Sequence, residues 1–105
     1  IGNTIEVSGT VAVDEAGAII GEGDAYAQTA FVLKKIEAVL VKAGASLGDV
    51  VRTRAFVTDI RQADAYGKAH GEAFAGINPC TTMVEVKALI APEYLVEIEA
   101  TAVVA

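Results

Sequence analysis

Apolar and polar residues follow two different periods along this chain, and each period predicts a type of secondary structure. Residues 4–8 alternate between the two kinds and predict a first strand, after which Gly9 marks a bulge or bend. The strand pattern recurs at residues 10–13, 50–58, 78–86 and 95–102. Within the last two segments, Glu85, Glu97 and Glu99 stand where a fully buried strand would have apolar side chains. Which groups these carboxylates contact is therefore a question about the function of the protein.

Two segments have the spacing of an amphipathic helix. Residues 25–43 form the first, with Asp24 as the expected N-cap and Gly44 just beyond its end. Its expected buried stripe is Thr29, Val32, Leu33, Ile36, Val39, Leu40 and Ala43, and its expected wet side has Gln28, Lys35 and Lys42. Residues 61–74 form the second. Its expected inner face is Ala63, Gly67, His70 and Phe74, and its wet face is Asp64, Lys68 and Glu72.

The element order β-β-α-β-α-β-β predicts an α+β fold in one domain, residues 1–105. We expect a two-layer sandwich in which two helices cover one face of a mixed sheet. The uncovered face would bring together Arg52, Arg54, Phe56, Thr81, Met83, Glu85, Glu97 and Glu99. Such a mixture of apolar residues and opposite charges is typical of a subunit interface, so we expect a homo-oligomer.

Composition narrows the functional classes. The formal net charge of −6 argues against a nucleic-acid or anionic-membrane binder, because phosphate contacts need a basic surface. No apolar run approaches the roughly 20 residues of a membrane span. The single cysteine, Cys80, excludes an internal disulfide and indicates a reducing, cytoplasmic compartment. One histidine and one cysteine provide no zinc site of the usual kind, and we expect neither metal nor cofactor.

Several segments resemble the RidA/YjgF family. These are residues 2–9, 14–17, 27–29, 43–47, 56–59 and, most recognisably, the Val-Glu-Ile-Glu-Ala sequence at 96–100. The resemblance implies a chorismate-mutase-like fold and a homotrimer with three clefts between neighbouring subunits. It also implies hydrolysis of reactive 2-imino or enamino acids to 2-oxo acids and ammonia. The chain starts at Ile1 and lacks the family's usual N-terminal segment, so we expect a short natural segment upstream.

The resemblance also suggests site residues. Glu97 matches the family glutamate that is thought to position the attacking water. Thr81 stands where the family has an arginine that grips the substrate carboxylate, so the chain resembles an arginine-lacking branch. Met83, Gly67 and His70 stand where the family often has Cys, Asn and Tyr, and we expect them with Thr81 at the ligand.

Alternatives remain open for each of these residues. Glu97 either orients water or pairs with Arg54. Arg54 is either a partner of a strand glutamate or a substitute grip for an anionic substrate. His70 is either a packed, hydrogen-bonded residue or an acid–base group. By its position, Thr81 is expected to line the pocket, and a catalytic role is not expected, since no base stands beside it in the sequence. The chain as a whole is therefore either a hydrolytic deaminase or a trimer that binds a small metabolite without chemistry.

Overall fold

Four strands and two helices form two layers in the computed structural model, which describes residues 1–105. The elements are β1 (Thr4–Thr10), α1 (Ala25–Lys42), β2 (Val50–Val57), α2 (Ala63–Ala73), β3 (Cys80–Glu85) and β4 (Val96–Val103). The sheet order is β1-β4-β2-β3, with β4 antiparallel to both its neighbours and β2 parallel to β3. The mixed α+β sandwich expected from the sequence is confirmed. Neither helix combines the length and apolar character that crossing a bilayer requires.

The segment between β1 and α1 differs from the expectation of a second strand at residues 10–13. Only one isolated bridge, between Val13 and Ile19, forms there. The Lys35 ammonium group donates hydrogen bonds to the carbonyls of Val11 and Val13, both at 2.8 Å. These carbonyls therefore have a side-chain partner in place of a neighbouring strand, and Lys35 is half-buried where a wet position was expected.

Helix α1 begins as the sequence predicts, because the Asp24 carboxylate accepts a hydrogen bond from the backbone N–H of Ala27 at 3.0 Å. Its end also agrees, with Gly44 at φ +86° just beyond it. The expectation for Gln28 was wrong, because this side chain is fully buried. Conversely, Val39 belongs to the expected buried stripe but is 49% exposed.

The buried amide of Gln28 joins α1 to the segment that precedes β4. Its Nε2 donates to the carbonyl of Glu93, and its Oε1 accepts from the backbone N–H of Leu95, each at 2.9 Å. The side chain therefore satisfies both of its hydrogen-bonding ends inside the protein. A glutamine on an otherwise apolar stripe can be buried when its partners are irregular backbone, which hydrophobic periodicity does not reveal.

The core lies between α1 and one face of the sheet. Helix α1 contributes Val32, Leu33, Ile36 and Leu40, and the sheet contributes Ala55, Val57, Val96, Ile98, Ala100 and Ala102. Helix α2 adds Tyr66, and Phe74 directly after its end joins the same cluster.

The expected inner face of α2 is partly wrong, since Gly67 is exposed and Tyr66 is buried, whereas the wet face at Asp64, Lys68 and Glu72 is confirmed. A 3-10 turn, Ile60–Gln62, precedes α2 and accounts for the later helix start.

We expect Gln28→Leu to lower the free energy of unfolding by about 2–4 kcal/mol, because it leaves the Glu93 carbonyl and the Leu95 N–H without partners. Urea titration at fixed protein concentration measures this loss. The control is Lys34→Gln, at an exposed position of the same helix, which should change stability by less than about 0.5 kcal/mol. Equal losses in the two variants would contradict the role assigned to Gln28.

Candidate functional site

The register of the sheet places the candidate residues on two different faces. Residues paired across neighbouring strands share a face, so the pairs Thr53–Thr81 and Ala55–Met83 put Thr81 and Met83 on the helix side. The pair Phe56–Glu97 puts Glu97 on the opposite, open side. The expectation that Thr81, Met83 and Glu85 lie on the open face with Glu97 is therefore wrong. Alternation within a strand shows which residues share a face, but the parallel pairing with β2 decides which face it is.

On the helix side, Thr53, Thr81 and His70 form a hydroxyl–imidazole cluster. The Thr53 hydroxyl oxygen lies 2.7 Å from that of Thr81 and 2.8 Å from His70 Nε2. Thr81 Oγ1 and His70 Nε2 are 3.3 Å apart. A potential base therefore stands beside Thr81, although the two residues are separated in sequence and this proximity was not foreseen. Thr53, at the centre of the cluster, was not a candidate either; its only sequence signal is a threonine on the core face of β2.

Burial favours the uncharged form of the His70 imidazole. The ring packs against Phe74 with centroids 4.7 Å apart. Desolvation lowers the pKa of His70, because it disfavours the imidazolium form. His70 is thus packed and hydrogen-bonded, which was one of its two interpretations. Gly67, about one turn earlier, has open space around it, since a Cβ added there would meet nothing within 4 Å. Met83 is half-buried against the core.

On the open side, the Glu97 side chain lies over the backbone of Gly9. The pairing of β1 with β4 shifts between Val7 and Thr10, so the bulge expected at Gly9 is confirmed. A Cβ added at Gly9 would lie 2.7 Å from Glu97 Cδ and would overlap the carboxylate. Neither of the two ion pairs in the chain involves Glu97. In the sequence, Gly9 indicated the bulge because it breaks the alternation of the strand. Nothing in the sequence indicated that the Glu97 side chain lies there.

Arg54 pairs with Glu99 and leaves Glu97 free. Its Nε lies 2.5 Å from Glu99 Oε1 on the open face, where these residues are in register. Arg54 is thus the partner of a strand glutamate, which was one of its two interpretations. The small cavity beside this pair has a volume of about 50 Å³, room for a few water molecules only.

The larger cavities of the chain lie away from the hydroxyl–imidazole cluster and from Glu97. One of about 370 Å³ opens between α1 and α2 beside Tyr26 and Glu72, and one of about 270 Å³ lies beside Phe31 and Lys35. Neither is lined by Thr81, His70 or Glu97. No three His, Cys, Asp or Glu side chains come together as metal ligands. A single chain thus presents the two groups at its surface without enclosing them.

The lowered pKa of His70 predicts a pH dependence of stability. The unfolded chain regains the ordinary pKa near 6.5, so it binds more protons than the folded chain at pH values between the two pKa values. The folded state therefore loses stability as the pH falls through this window. We expect His70→Gln, which does not titrate, to lose less stability than the wild type between about pH 7 and about pH 5. Urea titrations at both pH values measure the difference, and identical losses would contradict it.

Comparison with known proteins identifies the family of this chain. The family model described as endoribonuclease L-PSP matches residues 1–104. The 3-aminoacrylate deaminase RutC of Acinetobacter baylyi is 36% identical over 100 residues, which are 95% of this chain and 79% of that protein.

Solved structures show the same fold. A member of the YjgF/YER057c/UK114 family from Mycobacterium tuberculosis has a TM-score of 0.88 and 49% identity, covering 99% of this chain and 81% of its own. E. coli TdcF with bound serine has a TM-score of 0.91 and 28% identity, covering 100% of this chain and 84% of its own. The expected chorismate-mutase-like sandwich is consistent with these neighbours. The chain belongs to the RidA/YjgF family.

Proposed function

We propose that this chain is a homotrimeric, cytoplasmic hydrolase that deaminates small imines or their enamine tautomers in clefts between subunits. The observation that carries the proposal is the carboxylate of Glu97, free of ion pairs within the chain and accommodated by the bulge at Gly9. The relative that is named as a 3-aminoacrylate deaminase supports this reaction class. The serine bound to TdcF supports a site for a small polar metabolite.

The chemistry assigned to Glu97 is that of a general base. Its carboxylate accepts a proton from a water molecule while the water oxygen attacks the imine carbon. This proton passes to the substrate nitrogen and gives a carbinolamine. The carboxylate then carries the carbinolamine hydroxyl proton to the same nitrogen, the C–N bond breaks, and ammonia leaves as the carbonyl forms. Imine and water thus give a carbonyl compound and ammonia, and no cofactor takes part in this balance.

A cleft between subunits accounts for the placement of the candidates. Thr81 and Glu97 lie on opposite faces of one sheet, so a single chain cannot direct both at one ligand. Two neighbouring chains can, if one contributes the edge of β3 and the other its open face. The open face suits such contact, because it exposes Val84 (42%) beside Phe56 and charged side chains.

The alternative is a trimer that binds a small metabolite in the same clefts and performs no chemistry. We do not assign a nucleic-acid partner, because the net charge of −6 disfavours phosphate contacts. The cytoplasmic assignment is supported by the free, exposed thiol of Cys80, which is typical of a reducing compartment.

The water-activating role predicts that Glu97→Gln lowers kcat for ammonia release by about 100-fold or more while the fold is retained. The substrates are 3-aminoacrylate and its uncharged amide, 3-aminoacrylamide. Gly9→Ala should also lower kcat, because the added methyl group displaces the carboxylate. Its control is Gly71→Ala, where the added Cβ meets nothing within 4 Å and activity should not change.

Several outcomes would count against this role. A wild-type protein that releases ammonia from neither substrate above the spontaneous rate is not a deaminase of this class. Full activity in Glu97→Gln would assign the base to another residue. Equal activity in Gly9→Ala and Gly71→Ala would show that the position of the carboxylate is unimportant.

The proposed assembly predicts a solution mass of three times the chain mass of 10.8 kDa, measured by light scattering on a sizing column. Val84→Lys, on the open face of β3, should dissociate the trimer because it places a charge in the buried contact. Val41→Lys makes the same change on α1, where the side chain is 61% exposed, and should leave the trimer intact. Dissociation by Val41→Lys alone would place the contact on the helices.

A further inference from the structure

The hydroxyl–imidazole cluster of Thr53, Thr81 and His70 offers a ligand one accessible hydroxyl group. Thr53 is fully buried and His70 is half-buried, whereas Thr81 is exposed on the edge strand β3. The cluster's side-chain hydrogen bonds all run within it, and none reaches a charged group. A ligand at this edge would therefore meet the Thr81 hydroxyl, supported from behind by two neutral groups.

Hydrogen bonding within the cluster can run in two directions. With the proton of His70 on Nε2, the ring donates to Thr53, Thr53 donates to Thr81, and the Thr81 proton points outward as a donor. With the proton on Nδ1, Thr53 donates to the ring and Thr81 donates to Thr53, which leaves Thr81 outward as an acceptor. The two arrangements therefore differ in whether the Thr81 proton is free for a ligand or is used within the cluster.

Charge is the property that this cluster lacks. A carboxylate is held strongly where a cationic donor pairs with it. The cluster contains no Lys or Arg side chain, and burial favours the neutral form of His70 by lowering its pKa. Arg52 and Arg54 of the same chain both lie on the opposite face, and Arg54 pairs with Glu99, so the cluster itself offers a ligand no cation. A carboxylate that gave up its water to bind here would keep a single neutral hydrogen bond. A carboxamide has both a donor and an acceptor and matches either direction of the cluster.

We propose that Thr81, positioned by Thr53 and His70, selects substrates with an uncharged polar group, such as a carboxamide, over those with a carboxylate. The proposal rests on the deaminase function above, for which it names the substrate class. Thr81 is the residue that contacts the substrate, and Thr53 and His70 are positioning residues.

The first test compares 3-aminoacrylamide with 3-aminoacrylate, which differ only in one group, an uncharged carboxamide in place of a carboxylate. We expect kcat/KM of the wild type to be at least about 10-fold higher for the amide. Thr81→Val, which keeps the β-branched shape, should lower the amide value by about 3- to 10-fold through loss of one neutral hydrogen bond. Thr81→Arg should reverse the preference, because a guanidinium group pairs with the carboxylate. The matched control is Thr82→Val, on the open face of β3 and away from the cluster, which should keep both the trimer mass and the wild-type preference.

The second test measures ligand binding in the absence of catalysis. His70 is the only histidine of the chain, so its two ring ¹⁵N resonances are unambiguous. Saturating propanamide should change the chemical shifts of these resonances, because it hydrogen-bonds to Thr81 at the outer end of the cluster, and propanoate at the same concentration should not. The effect should vanish in Thr81→Val and persist in Thr82→Val.

The combined outcomes separate this proposal from the deaminase function. If neither substrate is hydrolysed but propanamide shifts the His70 resonances through Thr81, the deaminase function fails and the selectivity stands. If both substrates are hydrolysed and the carboxylate is preferred, or the ratio of amide to carboxylate kcat/KM in Thr81→Val equals that of the wild type, the selectivity is overturned and the deaminase function stands. If no hydrolysis and no shift occur, both are overturned.

Discussion

The hydrogen-bonded register of β2 against its two neighbours determines where every candidate side chain points. Thr53 faces the helices and meets Thr81 in the parallel pairing with β3. Arg54, one residue later, faces the open side and meets Glu99 in the antiparallel pairing with β4. Because side chains alternate at every residue, a slip of one position would exchange the two sets. The buried face of β2 and β4, packed on α1, makes such a slip costly.

Much of this architecture could be predicted from the sequence, because local signals and tertiary structure agree. The Asp24 cap, the long apolar stripe of α1, the β-branched strand β2 and the bulge at Gly9 are all local features. The predictions that failed concern polar residues whose partners are distant. Gln28 is buried by backbone groups 65 and 67 residues away, and Lys35 binds carbonyls more than 20 residues away. Hydrophobic periodicity assigns both residues to the solvent-exposed side because their side chains are polar.

The candidate site was predictable to a smaller extent. The resemblance to the family drew attention to Glu97 and Thr81, but alternation alone could not show that they lie on opposite faces. Only the pairing of β3 with β2 gives that information, and it also brings the His70 imidazole to the Thr81 hydroxyl. The open-face carboxylate and the helix-side cluster are therefore separate parts in one chain. The proposed function and the proposed selectivity each depend on one of them.

The strand order has a consequence for biosynthesis. β4 lies between β1 and β2, although it follows all other strands in the sequence. During translation, β1 therefore has no neighbour to pair with, and β2 can pair only with β3, until residues 96–103 have left the ribosome. Contacts between such distant segments form slowly and leave apolar strand faces uncovered in the meantime. A nascent chain that stalls before β4 is thus a candidate for chaperone binding, because its sheet is still divided in two.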